Sequence, residues 1–285
     1  MIHDPTVFQP SSSACRPGSE ISLLNQHQTA HTTTQRLYLL YHELRPGRSS
    51  YSYIGDTREF EQHLALFQKL RENEGSALKP EITFDDGHIS NFEFAPSALQ
   101  SHNIKAHFFI TVGWTSKRSG YMGWEQLREL QQAGHIIGAH GWTHTLLTHC
   151  NEKELNHELA DARLVLEQKL GTQVTTMSLP GGRYNRRVLA ACQRAGYQQI
   201  FTSIPRTEPE PLGLTIGRLN IRGDMSLEWL SKLFQPGNNI LHNLERQYQR
   251  KEIAKSLLGD RLYAKLWAIL NRKEPETDAG EPAGQ

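Results

Sequence analysis

Residues 81–90 read "EITFDDGHIS": a short β-forming run, Glu81 to Phe84, that stops at two adjacent acids and a glycine. Taken alone, an Asp-Asp-Gly triplet is most often a tight turn, because Asp and Gly favour turn backbones for local reasons. Its surroundings change that reading. Similar β-rich runs recur at 36–42, 106–112, 135–140, 174–179, 199–204 and 215–221, seven in all with 81–84. Between them, segments near 56–74, 91–103, 123–133, 151–170, 185–195 and 226–235 carry apolar residues at helical spacing, as Leu155, Leu159, Leu166 and Leu170 do. Strand, helix, strand repetition predicts parallel pairing with right-handed crossovers. Seven units favour a closed or nearly closed TIM-like barrel of α/β class over an open doubly wound sheet, which is the second choice.

In such folds ligands bind where the carboxyl ends of the strands converge, so what each strand ends in becomes the test. His42 ends the first run and Asp85 and Asp86 end the second. His140 ends the fourth, with His144 just beyond, and a Pro180–Asn185 loop follows the fifth. Two imidazoles and a carboxylate suit a divalent transition metal, and three protein ligands leave a fourth position open, which is the layout of a catalytic site. A metal brings the pKa of water to roughly 7, and a second carboxylate that is not a ligand can then take the remaining proton. A chain turning at Gly87 could aim one acid of the doublet at the metal and the other at its water.

Composition is consistent with this and excludes other classes. The 31 basic and 30 acidic residues nearly cancel, and no basic block of the kind that tracks nucleic-acid phosphates is present. Cys15, Cys150 and Cys192 form neither a disulfide framework nor a CxxC pair. No Gly-rich phosphate loop follows a strand, and no GxSxG nucleophile elbow occurs. The N-terminus lacks a charged start followed by an apolar run, and no spanning segment is evident, so the expected location is cytoplasmic. Four regions are expected: a flexible leader at 1–35, a barrel at 36–238, a helical extension at 239–272 and a disordered tail at 273–285. Within the extension, Leu258, Leu262, Leu266 and Ile269 fall near one face. An amphipathic helix of this kind usually docks on its own domain, but it is also the form that makes peripheral contact with a membrane.

The motifs resemble those of the polysaccharide deacetylases with the NodB-homology domain, carbohydrate esterase family 4, over much of residues 36–222. "TFDDG" at 83–87 is identical to the family's first motif, "HGWTH" at 140–144 resembles its second, H-[ST]-x-x-H, and "LPGGRYN" at 179–185 resembles the third. The resemblance implies a distorted (β/α)7 barrel, a divalent metal, commonly zinc, and hydrolytic removal of acyl groups from amino sugars. It implies Asp85 as general base, Asp86, His140 and His144 as metal ligands, and the Gly181 amide as an oxyanion donor. The implied partner is an acetylated carbohydrate. His88, Trp142, Arg183 and Tyr184 are candidates for substrate contact, the aromatic rings because they pack on the C–H faces of sugars.

Three departures from the family stand out. Ser178 occupies the place of the arginine that usually holds the base, leaving Arg183 as the candidate substitute. Gly141 replaces the usual hydroxyl residue of the second motif. The late histidine motif that supplies a general acid has no clear equivalent, with His242 as its nearest candidate. Two alternatives to sugar deacetylation therefore stand: hydrolysis of another amide or ester on the same metal site, and a non-catalytic carbohydrate-binding protein with an incomplete site.

Overall fold

The run "RLYLLY" is buried from Leu37 to Tyr41 on both faces, which marks a parallel strand covered on each side rather than a half-exposed one. This strand, β1 (Gln35–Tyr41), opens the computed structural model, which describes residues 34–258. Two short strands, β2 (Glu43–Arg45) and β3 (Ile54–Asp56), pair in parallel with each other as a separate flap. Helix α1 (Thr57–Glu72) starts on Asp56, whose carboxylate accepts from the Arg58 amide.

The repeat then runs as expected: β4 (Leu78–Phe84), α2 (Ile89–Ser101), β5 (Ala106–Ile110), α3 (Trp124–Gln132) and β6 (Ile136–Ala139). The 151–170 segment is not one uniform helix. It comprises α4 (Glu152–Asn156), a π-helical segment at His157–Asp161 and α5 (Ala162–Leu170), with Leu155, Leu159, Leu166 and Leu170 all buried. After these come β7 (Thr176–Ser178), α6 (Arg186–Arg194), β8 (Gln199–Phe201) and the two-residue β9 (Glu208–Pro209).

The expected last strand, 215–221, is divided. Its first half, β10 (Thr215–Ile216), pairs with β8, and its second half, β11 (Arg218–Asn220), pairs with β1. Since the sheet order is β10-β8-β7-β6-β5-β4-β1-β11, the two ends of the sheet are consecutive in the chain and joined through Gly217. Gly217 has no room for a side chain, because a Cβ there would lie 2.4 Å from Arg206 Cγ and 2.6 Å from the Ile204 carbonyl oxygen. The result is a distorted seven-stave barrel closed by one shared strand. All of the sheet pairs are parallel except the short β9, which runs antiparallel to β1.

The barrel interior is a small cluster, Tyr38, Phe109, Phe201 and Ile216, distinct from the larger shell packed between staves and helices. Gly138 lies on β6 where a Cβ would come within 2.5 Å of both Phe109 and Thr176, so the narrow interior dictates a residue without one. Helices α7 (Leu227–Leu233) and α8 (Ile240–Leu258) follow the barrel, and no described helix is long and apolar enough to cross a membrane. Residues 1–33 of the expected leader, the 273–285 tail, and Leu262, Leu266 and Ile269 lie outside the described residues.

Candidate active site

Four staves deliver the chemistry to one rim. β4 ends at Phe84 and hands Asp85 to the interior, its amide still donating to Tyr41 O at 3.1 Å. The chain then turns one residue earlier than the sequence implies. Asp86 itself is left-handed (φ 71°), followed by Gly87 (φ 80°), so the second carboxylate swings away from the first. His140 follows β6, and His144 is again left-handed (φ 64°). A non-glycine residue at positive φ costs roughly 1–2 kcal/mol, and strain of this kind is characteristic of functional sites.

Asp86, His140 and His144 each offer one ligand atom, and the three atoms lie within 4.8 Å of one another. Nε2 of His140 and Nε2 of His144 are each 3.3 Å from Asp86 Oδ1. That oxygen is buried yet makes no hydrogen bond of acceptable geometry. His140 Nδ1 lies 2.8 Å from the Ser178 carbonyl oxygen. A carbonyl only accepts, so Nδ1 carries a hydrogen, and in the neutral ring Nε2 is the nitrogen that presents a lone pair toward Asp86. An orphaned carboxylate oxygen facing such nitrogens is the donor set a divalent cation satisfies.

Asp85 is held differently. Its carboxylate is fully enclosed and clamped by Arg218, with Nη1 on Oδ1 at 2.7 Å and Nη2 on Oδ2 at 2.9 Å. Ser178 Oγ donates to Oδ2 at 2.9 Å and accepts from Arg218 Nη2 at 2.7 Å. The remaining Arg218 donors go to Thr83 Oγ1 at 3.3 Å and Thr202 O at 3.0 Å, so the five guanidinium hydrogens are all used. The guanidinium also lies over Phe109 and Phe201, at 5.4 and 5.8 Å from their ring centres.

The function expected of Arg183, holding Asp85, therefore falls to Arg218, and Ser178 joins the same network rather than leaving a gap. Burial by itself would push the Asp85 carboxyl up. The Arg218 guanidinium and His140 outweigh it and hold that group well below the usual carboxylate range. For His140, burial opposes the imidazolium, but Asp85 and Asp86 prevail and raise its pKa; His144, partly desolvated and repelled by His140, moves down.

The other candidates separate by what they touch. His88 caps α2, with Nδ1 2.8 Å from Ser90 Oγ, and its ring meets Tyr121 edge-on. Trp142 lies against His157, ring centres 4.4 Å apart, and Tyr184 packs on the core shell half-buried. Gly181 is exposed at the left-handed turn of the third motif (φ 63°), where a Cβ would crowd Leu146 at 2.7 Å. His242 is exposed on α8.

Two features were missed from sequence. Trp114 covers His144 at 5.4 Å and carries the Arg118 guanidinium 4.7 Å above its ring. Tyr53, on the loop leading into β3, meets the buried His42 ring edge-on at 5.1 Å and Tyr51 at 5.7 Å. Neither lies in a motif; aromatic residues in the loops that follow strands β2 and β5 were the available signal.

Residues 76–200 match the family model described as polysaccharide deacetylase. YxkH of Bacillus subtilis (strain 168), provisionally assigned as a polysaccharide deacetylase, is 29% identical over 204 residues, which cover 66% of this chain and 72% of that protein. The peptidoglycan-N-acetylglucosamine deacetylase PgdA of Listeria monocytogenes is 32% identical over 110 residues, 38% of this chain but only 22% of that larger protein. Among solved structures, the Streptococcus pyogenes deacetylase PplD, determined with acetate, superposes with a TM-score of 0.62 at 22% identity. That superposition covers 72% of this chain and all of PplD, and it speaks to the fold.

Proposed function

We propose that this chain, whose residues 76–200 match the polysaccharide deacetylase family model, is a metal-dependent hydrolase that removes acetyl groups from N-acetylated sugar units of a glycan. The observation that carries the reading is the pairing of two unlike carboxylates. One, Asp86, is orphaned among imidazole nitrogens, and its neighbour Asp85 is locked in its anionic form by Arg218.

In this reading Asp86, His140 and His144 hold a divalent cation, zinc by the softness of the donor set. When bound, the cation polarises the acyl carbonyl and lowers the pKa of water beside it. Asp85 takes the proton from the attacking water at Oδ2, the oxygen 3.8 Å from His140 Nε2. Passing that proton to the sugar nitrogen as the C–N bond breaks leaves acetate and a free amine. Arg218 and Ser178 fix the direction of that carboxylate, so little reorganisation is needed when charge moves. The Gly181 amide is assigned to the oxyanion that forms on the carbonyl, with its missing side chain letting the acyl group approach. Trp114, Trp142, Tyr53 and Tyr184 offer ring faces for sugar C–H surfaces. The non-catalytic alternative rests on Ser178 replacing the base-holding arginine and on the missing late histidine, and Arg218 removes the first of these grounds.

The test is acetate release from N-acetylglucosamine oligomers, measured on the purified chain before chelation, after it, and after return of Zn2+ or Co2+. Loss on chelation and recovery with metal is expected, together with no release by His140→Ala. Release that survives both chelation and His140→Ala would remove the metal from the reaction.

A further inference from the structure

The loop that joins His140 to His144 is folded around a carboxylate from another part of the chain. Glu158 is 3% exposed and accepts four hydrogen bonds, all from Trp142 and Thr143. Oε2 takes the Trp142 amide at 2.7 Å and the Thr143 amide at 3.0 Å. Oε1 takes the Thr143 hydroxyl at 2.6 Å and the same amide at 3.3 Å. Amides in a loop of this kind have no ladder partner, and burying them unpaired would cost about 1–3 kcal/mol each.

Two further observations point the same way. Gly141 stands where the related motif carries Ser or Thr, and it has φ 79°. A Cβ at Gly141 would lie 2.8 Å from Glu158 Oε2, so the loop accommodates a side chain at 141 or this carboxylate, but not both. Glu158 also belongs to the π-helical segment His157–Asp161. Such bulges insert one residue into a helix and turn the following face by about 100°, and they recur at functional sites. Here Glu158 lies on the same buried side as Leu155 and Leu159, three residues after the first and one before the second.

We propose that Glu158 is the positioning residue of the metal-binding loop. Its buried carboxylate ties down Trp142 and Thr143, and so holds His144 in the left-handed conformation that sets its Nε2 beside Asp86. It does the work of the hydroxyl that Gly141 lacks. The inference rests on the metal reading above and adds to it the device that preforms the ligand set.

The experiment uses the full chain, stripped of metal. Zn2+ affinity is measured by competition with a chromophoric chelator, the Co2+ absorption spectrum reports coordination geometry, and the melting temperature of the metal-free protein reports folding. Glu158→Gln keeps the shape but places an NH2 against amide donors. It is expected to weaken Zn2+ by about 10–100-fold, the range for residues that orient metal ligands, and to alter the Co2+ spectrum. Thr143→Val removes only the hydroxyl contact, folds more readily, and is expected to weaken Zn2+ severalfold. A lower melting temperature with wild-type Zn2+ affinity and Co2+ spectrum would make Glu158 a fastener of the fold and overturn the proposal. If Glu158→Gln does not fold, unchanged affinity in Thr143→Val overturns it equally. A wild-type chain that takes up no metal overturns the metal reading itself, and the clamp with it.

Discussion

Arg218 grips Asp85 across an intervening strand: Asp85 follows β4 and Arg218 begins β11, and these two staves flank β1 on opposite sides. The contact spans 133 residues of sequence and lies entirely inside the barrel. Its consequence for the base is direct. Burial favours the neutral acid, and the guanidinium is the largest influence opposing it.

Replacing Arg218 should therefore show in the pH profile as well as in the rate. With Arg218→Ala the Asp85 pKa rises, so the acidic limb of kcat/KM moves to higher pH. The protein also loses about 3–5 kcal/mol, the cost of leaving one partner of a buried pair alone. Arg218→Lys, which keeps the charge but not the fork, should show a smaller shift of the limb. Stopped assays across pH 4–9 and chemical denaturation measure both.

Asp85→Asn should abolish turnover, a loss of roughly 10²–10⁴-fold, and leave metal content unchanged, whereas His140→Ala should lose both. Elemental analysis alongside acetate release separates the two, and full metal occupancy in His140→Ala would undo the ligand assignment.

Acid should loosen the fold through histidines outside the proposed metal site. Burial holds the imidazoles of His63 and His107 down at about 4. In the unfolded chain they titrate near 6.5, so between those values the unfolded state binds more protons. Stability is full above about pH 6.5 and is lost as pH falls toward 4, by about 3 kcal/mol per histidine at most. His107→Phe, in a pocket already lined by Tyr38, Phe109 and Phe201, should flatten the slope of unfolding free energy against pH in that window.

Gly138→Ala should destabilise the barrel by about 1–3 kcal/mol, the usual range for overpacking, since the new Cβ meets Phe109 and Thr176 at 2.5 Å. The midpoint of thermal unfolding checks it, and an unchanged midpoint would mean the interior can open.

The barrel and the convergence of Asp85, Asp86, His140 and His144 were legible because each depends on local pattern: alternation of periods, and what stands at strand ends. The Arg218 clamp was not, because a single arginine in "TIGRLNI" reads as an ordinary polar residue of a strand. Only closure of the ring brings it beneath Asp85. Glu158 was hidden for a related reason. At i+3 from Leu155 it shares the apolar face of the 151–170 segment, but nothing in the spacing says which loop its carboxylate meets. The β2–β3 flap escaped because three-residue strands carry no usable period.

Gly217 gives the last strand two neighbours, and the residue after it is Arg218. The segment that completes the ring is thus the one that arms the base. The stretch that matches the polysaccharide deacetylase model, residues 76–200, contains every proposed metal ligand and the proposed base but neither β1 nor β11. Grafted elsewhere or cut free, that portion would carry the ligands without the counter-charge. The proposed activity would then belong to the closed ring, not to its most recognisable stretch.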